Sequence, residues 1–335
     1  MGRFPHLRSI IRNNVNIQLV TPALLRINNG NRITALRWAA IFKKLGHRVR
    51  VTQSYDDRSC DALIALHARR SADSIRRFHE THPDRPLIVV LTGTDLYRDI
   101  RRDPKAKQSL ELATRLVVLQ SMALRELRSH LRKKTQVIYQ SADSSQGKLA
   151  RSTKVFDVCV IGHLRAEKDP LRAALAVRAL PARSRIQVTH IGLALDQNLG
   201  ARAQAEAALN PRYRWIGQLS HSETRRLLAR SHLVCITSKV EGSSNVLSEA
   251  LAAGVPVIAA RIAGLIGTLG SRYAGYFPVG DTGKLTSLLL KAESDEKFYR
   301  KLQGQCASLA KLVQPRREIR AWRRLLREIK PASTG

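Results

Sequence analysis

Two carboxylates, Glu241 and Glu249, stand with seven residues between them in the segment SKVEGSSNVLSEALAAGVPVIAA, residues 238–260. The run before it, LVCIT, reads as a strand. A short loop then carries Glu241 and Gly242, and a helix opens near Ser243–Asn245, with Ser243 or Ser244 as its cap. The helix stops at Gly254, and Val255-Pro256-Val257-Ile258 begins the next strand. Such a unit aims unpaired N–H groups and a positive dipole end at whatever lies above the sheet, which suits a diphosphate. Glu249 can accept hydrogen bonds from ribose hydroxyls, and Glu241 from sugar hydroxyls. Taken singly, each would read as a solvated loop or helix-surface glutamate. The segment as a whole reads as a ligand site.

Elements able to position that site recur along the chain. Short β-branched runs alternate with longer helical patterns, which predicts parallel sheets covered by helices. Strands are expected at Asn16–Pro22, Ala62–Leu66, Leu87–Thr92, Arg115–Leu119 and Gln136–Tyr139. After the first comes a polar loop, INNGNR, and then a helix ending at GHRVRVT, with Trp38, Ile41, Phe42 and Leu45 as one buried stripe. QSADSSQGKLARSTK (140–154) has no periodicity and reads as a linker. Beyond it, strands are expected at Val155–Ile161, Ile186–Ile191, Tyr213–Ile216, Leu233–Thr237, Val255–Ala259 and Gly275–Phe277, with a helix over Asp169–Leu180 and Pro170 in its first turn. The expected organisation is an N-terminal doubly wound domain over 1–150, a second over 151–315, and a final helix over 316–335 packing back on the body. The ligand site of such a pair is expected in the cleft between the domains, at the carboxyl ends of the strands. The last helix, RREIRAWRRLLREIK, carries Ile319, Trp322, Leu326 and Ile329 as an apolar stripe. It reads as packed on the protein in preference to lying on an anionic membrane.

Composition narrows the class. The 335 residues are 44% hydrophobic and 25% charged, which excludes disorder and fibrous repeats. The unusual quantity is a formal net charge of +32, from 58 Lys and Arg against 26 Asp and Glu. Anionic partners follow from it. Residues 1–150 hold 28 basic and 12 acidic side chains and residues 151–335 hold 30 and 14, so no basic arm carries the excess. Aromatic residues are only 5% and scattered, which argues against nucleic-acid binding. Cys60, Cys159, Cys235 and Cys306 form no C-x-x-C pair, and neither a zinc site nor a disulfide framework is expected. No apolar run approaches a membrane span and no signal peptide is read. A reduced, cytoplasmic protein without stable membrane insertion is the expectation.

The pattern E-G-x-x-x-V-x-x-E-A-x-A-x-G-x-P-V-I, running from Glu241 to Ile258, resembles the donor-site motif of retaining GT-B glycosyltransferases of the family 4 type. VCVIGHLRAEKDP resembles that family's strand and loop for the donor phosphates, and RYRWIGQLSHSETRRLLARSHLVCITS the stretch leading into the glutamate motif. GNRITALRWAAIFKKLGHRV, LIVVLTGTDLY and VIYQSAD resemble its glycine-bearing first loop, its Gly-Thr-Asp loop and its interdomain linker. The resemblance covers roughly residues 16–330 and implies an α/β GT-B fold of two Rossmann-like domains. It places the donor on Gly162, His163, Gly242, Ser243, Ser244, Asn245, Val246 and Glu249, with Glu241, Lys168 and Arg165 as the catalytic set. His163 stands where the family usually has Arg; Lys168 matches its Lys, and Arg165 can replace the missing guanidinium or read as a solvated loop charge.

The strings GNRITALRW, TGTDLYRDI, GHLRAEKDP and EGSSNVLSEA together resemble the selenosugar synthases of selenoneine biosynthesis. That resemblance implies a UDP-sugar such as UDP-N-acetylglucosamine or UDP-glucose as donor and selenophosphate as acceptor. A carbohydrate or lipid acceptor is the alternative. No Asp-x-Asp metal motif is present, and no metal or other cofactor is expected; cations and a helix N-terminus meet the leaving-group charge. Selenophosphate is already an anion with a soft nucleophilic selenium, so a general base is dispensable. Its walls would be cationic and donor-rich: Gly30, Asn31, Arg32 and Thr34 in the first loop, His67 after the Ala62–Leu66 strand, and Thr92, Gly93, Thr94 and Asp95 after the Leu87–Thr92 strand. Each has a plainer reading, Asp95 as a helix cap, Arg32 as a surface charge, Gly93 as a turn glycine and His67 as a hydrogen-bonded structural histidine.

Overall fold

The structure, a computed structural model, describes residues 14–22, 30–143 and 149–328. Ile27–Asn29 of the polar loop, residues 144–148 of the linker, and Ile329 and Lys330 of the last helix lie outside the described residues. Twelve strands are described: β1 Asn16–Val20, β2 Arg48–Thr52, β3 Ala62–Leu66, β4 Leu87–Leu91, β5 Arg115–Val118, β6 Thr135–Val137, β7 Phe156–Ile161, β8 Ile186–Ile191, β9 Tyr213–Trp215, β10 Leu233–Ile236, β11 Val257–Ala260 and β12 Tyr276–Phe277. They form two parallel six-stranded sheets, β2-β1-β3-β4-β5-β6 and β12-β11-β10-β7-β8-β9, with helices between the strands. The sequences ALIAL and LIVVL of β3 and β4 are buried at every position, as central parallel strands covered on both faces must be. All four cysteines are free and buried.

Eleven strands fall within two residues of their expected places. The exception is β2, RVRVT, expected as the tail of the first helix. Gly46, at φ +94°, ends the helix Gly30–Lys44, and Val49 and Val51 then alternate with Arg48 and Arg50. A second difference concerns Pro170. Asp169 adopts φ 43° in the left-handed region, so the helix begins only at Arg172 and Pro170 precedes it.

The described residues divide into two compact units. The first takes residues up to Val90, Asp103–Leu116 and the residues from Trp322 onward; the second takes Leu91–Arg102 and Val117–Ala321. In the first unit Trp322 is fully buried, edge-on to Trp38 and Phe42 at ring-centroid distances of 4.7 and 4.9 Å. Leu325 is buried beside it in sequence, while Leu326, expected on the stripe, is half-buried. Aromatic edge-to-face packing fixes this stretch of helix on the helix Gly30–Lys44. In the second unit the core lies along β7, β8, β10 and β11, with Cys159 and Cys235 inside it. Strand order reverses between β7 and β10 in this unit and between β1 and β3 in the first, and such switch points open a crevice at the carboxyl ends of the strands.

Candidate active site

Two loops leave the switch point of the second unit, one after β7 and one after β10. Lys168 ends the turn Ala166–Lys168 after β7, and Glu241 follows β10. Lys168 Nζ lies 2.5 Å from Glu241 Oε1, and Ser238 donates to the same oxygen at 2.7 Å. The two side chains keep 21% and 11% of their exposure, enough for a ligand to reach them and little enough that water screens the pair weakly. Bonds to backbone carbonyls lock the loops together: the Thr237 hydroxyl donates to Lys168 O at 2.8 Å, and Lys239 N–H to Glu167 O at 2.8 Å. A charge pair so held is positioned before any ligand arrives.

Behind the first loop, Gly192 comes so close to Gly162 that a Cβ there would sit 2.0 Å from Gly162 O. His190 is buried beneath it, with Nδ1 2.9 Å from Tyr213 Oη and Nε2 2.9 Å from Gly162 O. Burial lowers its pKa to about 4, so the ring is neutral. His163 accepts a hydrogen bond from Leu193 N–H through Nδ1 at 3.0 Å, which commits one face of that ring to the loop. Arg165 is exposed at the start of the turn.

Glu241 and Gly242 meet the loop after β4. A Cβ on Gly242 would lie 2.1 Å from Thr92 O and 2.7 Å from Gly93 N, so only glycine allows this approach. Gly264 is packed as tightly on Glu241 O. Asp95 is buried, and its carboxylate accepts N–H bonds from Thr92 at 3.0 Å and Gly93 at 2.8 Å. It shapes the loop from within; the residue was expected to face an acceptor. Thr92 and Thr94 stay half-exposed, and the turn Asp95–Asp99 is a π-helix, a form often found at functional sites.

The helix Asn245–Ala252 is capped by Ser244, whose Oγ accepts from Leu247 N–H at 3.3 Å. Ser243, Asn245 and Val246 are half-buried at its opening. Glu249 lies one turn on, with His221 Nε2 2.9 Å from its Oε1. His221, Ser238 and Thr237 lie outside the glycine and glutamate positions that define the motif. The one available signal was the capping box of Ser220 and Glu223, which sets His221 at the first position of its helix.

The expected residues of the first unit are arranged differently. Gly30, Asn31, Arg32 and Thr34 begin the helix Gly30–Lys44 and do not form a loop. Thr34 is buried, and its hydroxyl donates to Gly30 O at 2.8 Å. His67 follows β3 at φ 71°, buried, with Nδ1 accepting from Arg70 N–H at 3.2 Å. The left-handed backbone turns the chain there, and the ring holds the turn.

Solved structures share the fold. Anabaena Alr3699/HepE in complex with UDP aligns with a TM-score of 0.74 at 15% identity, over 94% of this chain and 100% of that one. The same protein in complex with UDP-glucose gives 0.72 at 15% identity, over 94% and 99%. Sucrose-phosphate synthase from Thermosynechococcus elongatus gives 0.76 at 14% identity, over 94% and 99%. No curated protein matches the chain. The fold is thus the α/β GT-B-like fold shared with these structures. Residues 141–306, which carry Lys168, Glu241 and Glu249, match the model of the family described as glycosyl transferases group 1.

Proposed function

We propose that this protein transfers a sugar from a UDP-sugar, UDP-N-acetylglucosamine or UDP-glucose, to selenophosphate, with Glu241, Lys168 and Arg165 as the catalytic set. The observation that carries the donor half is the Lys168–Glu241 pair at the switch point, beside the N-terminus of the helix Asn245–Ala252. Lys168, the exposed Arg165 and the helix N–H groups would take the diphosphate, Glu241 the hydroxyls of the transferred sugar, and Glu249, oriented by His221, the ribose. Structures of the same fold hold UDP and UDP-glucose, which supports this donor class.

Selenium attacks the anomeric carbon as the C1–O bond to the diphosphate breaks. UDP leaves with the electron pair, and a C1–Se bond forms. Water then takes the phosphoryl group from selenium, leaving the 1-seleno-sugar. The acceptor half rests on the resemblance of GNRITALRW, TGTDLYRDI, GHLRAEKDP and EGSSNVLSEA to selenosugar synthases. The loop Thr92–Thr94, against Gly242 and partly exposed, is the acceptor wall nearest the donor residues within the second unit. Burial of Trp322 and Leu325 withdraws much of the last helix's apolar face from any lipid.

The protein is to be incubated with each UDP-sugar and either selenophosphate or common glycan and lipid acceptors. UDP release together with a selenium-containing sugar in the mass spectrum is expected. Release only with a glycan or lipid would overturn the acceptor and keep the donor. Failure of every UDP-sugar to bind would overturn both.

A further inference from the structure

A cavity of about 330 Å³ lies in the second unit against the amino-terminal half of β7, apart from the loops that carry Lys168 and Glu241. Its apolar lining comes from Val158, Leu219 and Leu227, and its cationic lining from Arg214, Arg226 and Arg230. Arg226 and Arg230 are four residues apart on the helix His221–Arg230, so their like charges share one face and repel. Both are exposed, and Arg226 acts electrostatically on Glu223 one turn before it. Arg214 projects from β9, where it donates to Thr189 Oγ1 at 3.3 Å. Two carboxylates share the lining. Glu223 caps Ser220, with bonds of 2.9 Å to its N–H and 2.5 Å to its hydroxyl, and keeps its charge; with Asp157 it leaves one positive charge of the three in excess.

Three guanidinium groups from two elements around one apolar recess are matched by an anion with several oxygens and an apolar body. Guanidinium forks bind phosphate oxygens in pairs, and the three terminal oxygens of a phosphate monoester can meet more of these forks than the two of a carboxylate. We propose that this cavity is a second ligand site for a small organic phosphate, its apolar or aromatic part on Val158, Leu219 and Leu227 and its phosphate held by Arg214, Arg226 and Arg230. The ligand is separate from the donor and acceptor of the transfer reaction, so this inference does not depend on their identity.

Phenyl phosphate is the probe, titrated calorimetrically into the full chain with and without saturating UDP. Saturable binding is expected in both conditions, with benzoate and inorganic phosphate each weaker. The variant Arg226→Ser/Arg230→Ser should weaken it about ten-fold or more, with an unchanged unfolding temperature. The variant Lys284→Ser/Lys297→Ser removes the same charge from exposed positions elsewhere and should bind normally. Equal losses in both variants would reduce the effect to net charge and overturn the proposal. So would displacement of phenyl phosphate by UDP, benzoate binding as tightly, or capture of phosphatidate vesicles through the same arginines with no phenyl phosphate bound.

Discussion

At the residue scale the candidate chemistry rests on one ion pair. On the proposed function, Glu241→Gln removes a full negative charge from the sugar side of the donor, and Lys168→Ala a cation from its phosphate side. Each is expected to lower turnover of the sugar donor by about two to three orders of magnitude, as loss of a preorganised charge does. Initial rates of UDP release measure this, with unfolding temperature as the check on folding. Wild-type rates in both variants would move the donor site elsewhere. His190 makes a second prediction, about stability. Its folded pKa of about 4 lies below the ordinary 6.5, so the unfolded chain binds more protons between those values. Stability is therefore kept above pH 6.5 and falls as pH drops toward 4, by about 3 kcal/mol from this residue. Urea unfolding across that range should show a shallower slope in His190→Gln, which starts less stable because two hydrogen bonds are gone. The glutamates and the Gly-His-Leu-Arg loop were legible because their spacing is local. His221 was not, because it reaches Glu249 across 28 residues of chain.

At the element scale the site depends on close backbone approaches. The loop after β4 and the loop after β10 touch through Thr92, Gly93 and Gly242, a contact of residues far apart in the chain. Gly242→Ala would press a methyl group onto Thr92 O, and neither partner is a side chain that can swing away. A loss of about 1–3 kcal/mol is expected, with a fall in turnover because Glu241 moves with its neighbour. Denaturant midpoints and steady-state rates measure the two effects, and an unchanged protein would mean the loops yield freely. Strand positions were legible from apolar runs, and β2 was not, because a five-residue alternating run beside a helix has no length to distinguish it. The first turn of the helix Gly30–Lys44 was hidden by its own polarity: Asn31 and Arg32 read as loop residues until Thr34 is seen bonding back to Gly30 O.

At the scale of the whole molecule the +32 charge acts as a field. Among the described residues no helix is long and apolar enough to cross a membrane. A positive field attracts anionic substrates, and salt weakens it. For a UDP-sugar and a phosphorylated acceptor, kcat/KM should fall by about ten-fold between low and physiological ionic strength, with kcat nearly constant. Initial rates across a salt series test this, and a flat profile would remove steering from the account.

The sequence by itself determined the α/β architecture, the strand-loop-helix unit around Glu241 and the even spread of charge, because each is written in periodicity or in neighbours a few residues apart. Only the tertiary structure decided that Lys168 meets Glu241 across 73 residues. It also turned Asp95 inward, set His221 on Glu249 and left Arg214, Arg226 and Arg230 around one recess. Those outcomes depend on which strands become neighbours at a switch point and how closely glycines let backbones approach, and a linear pattern contains neither.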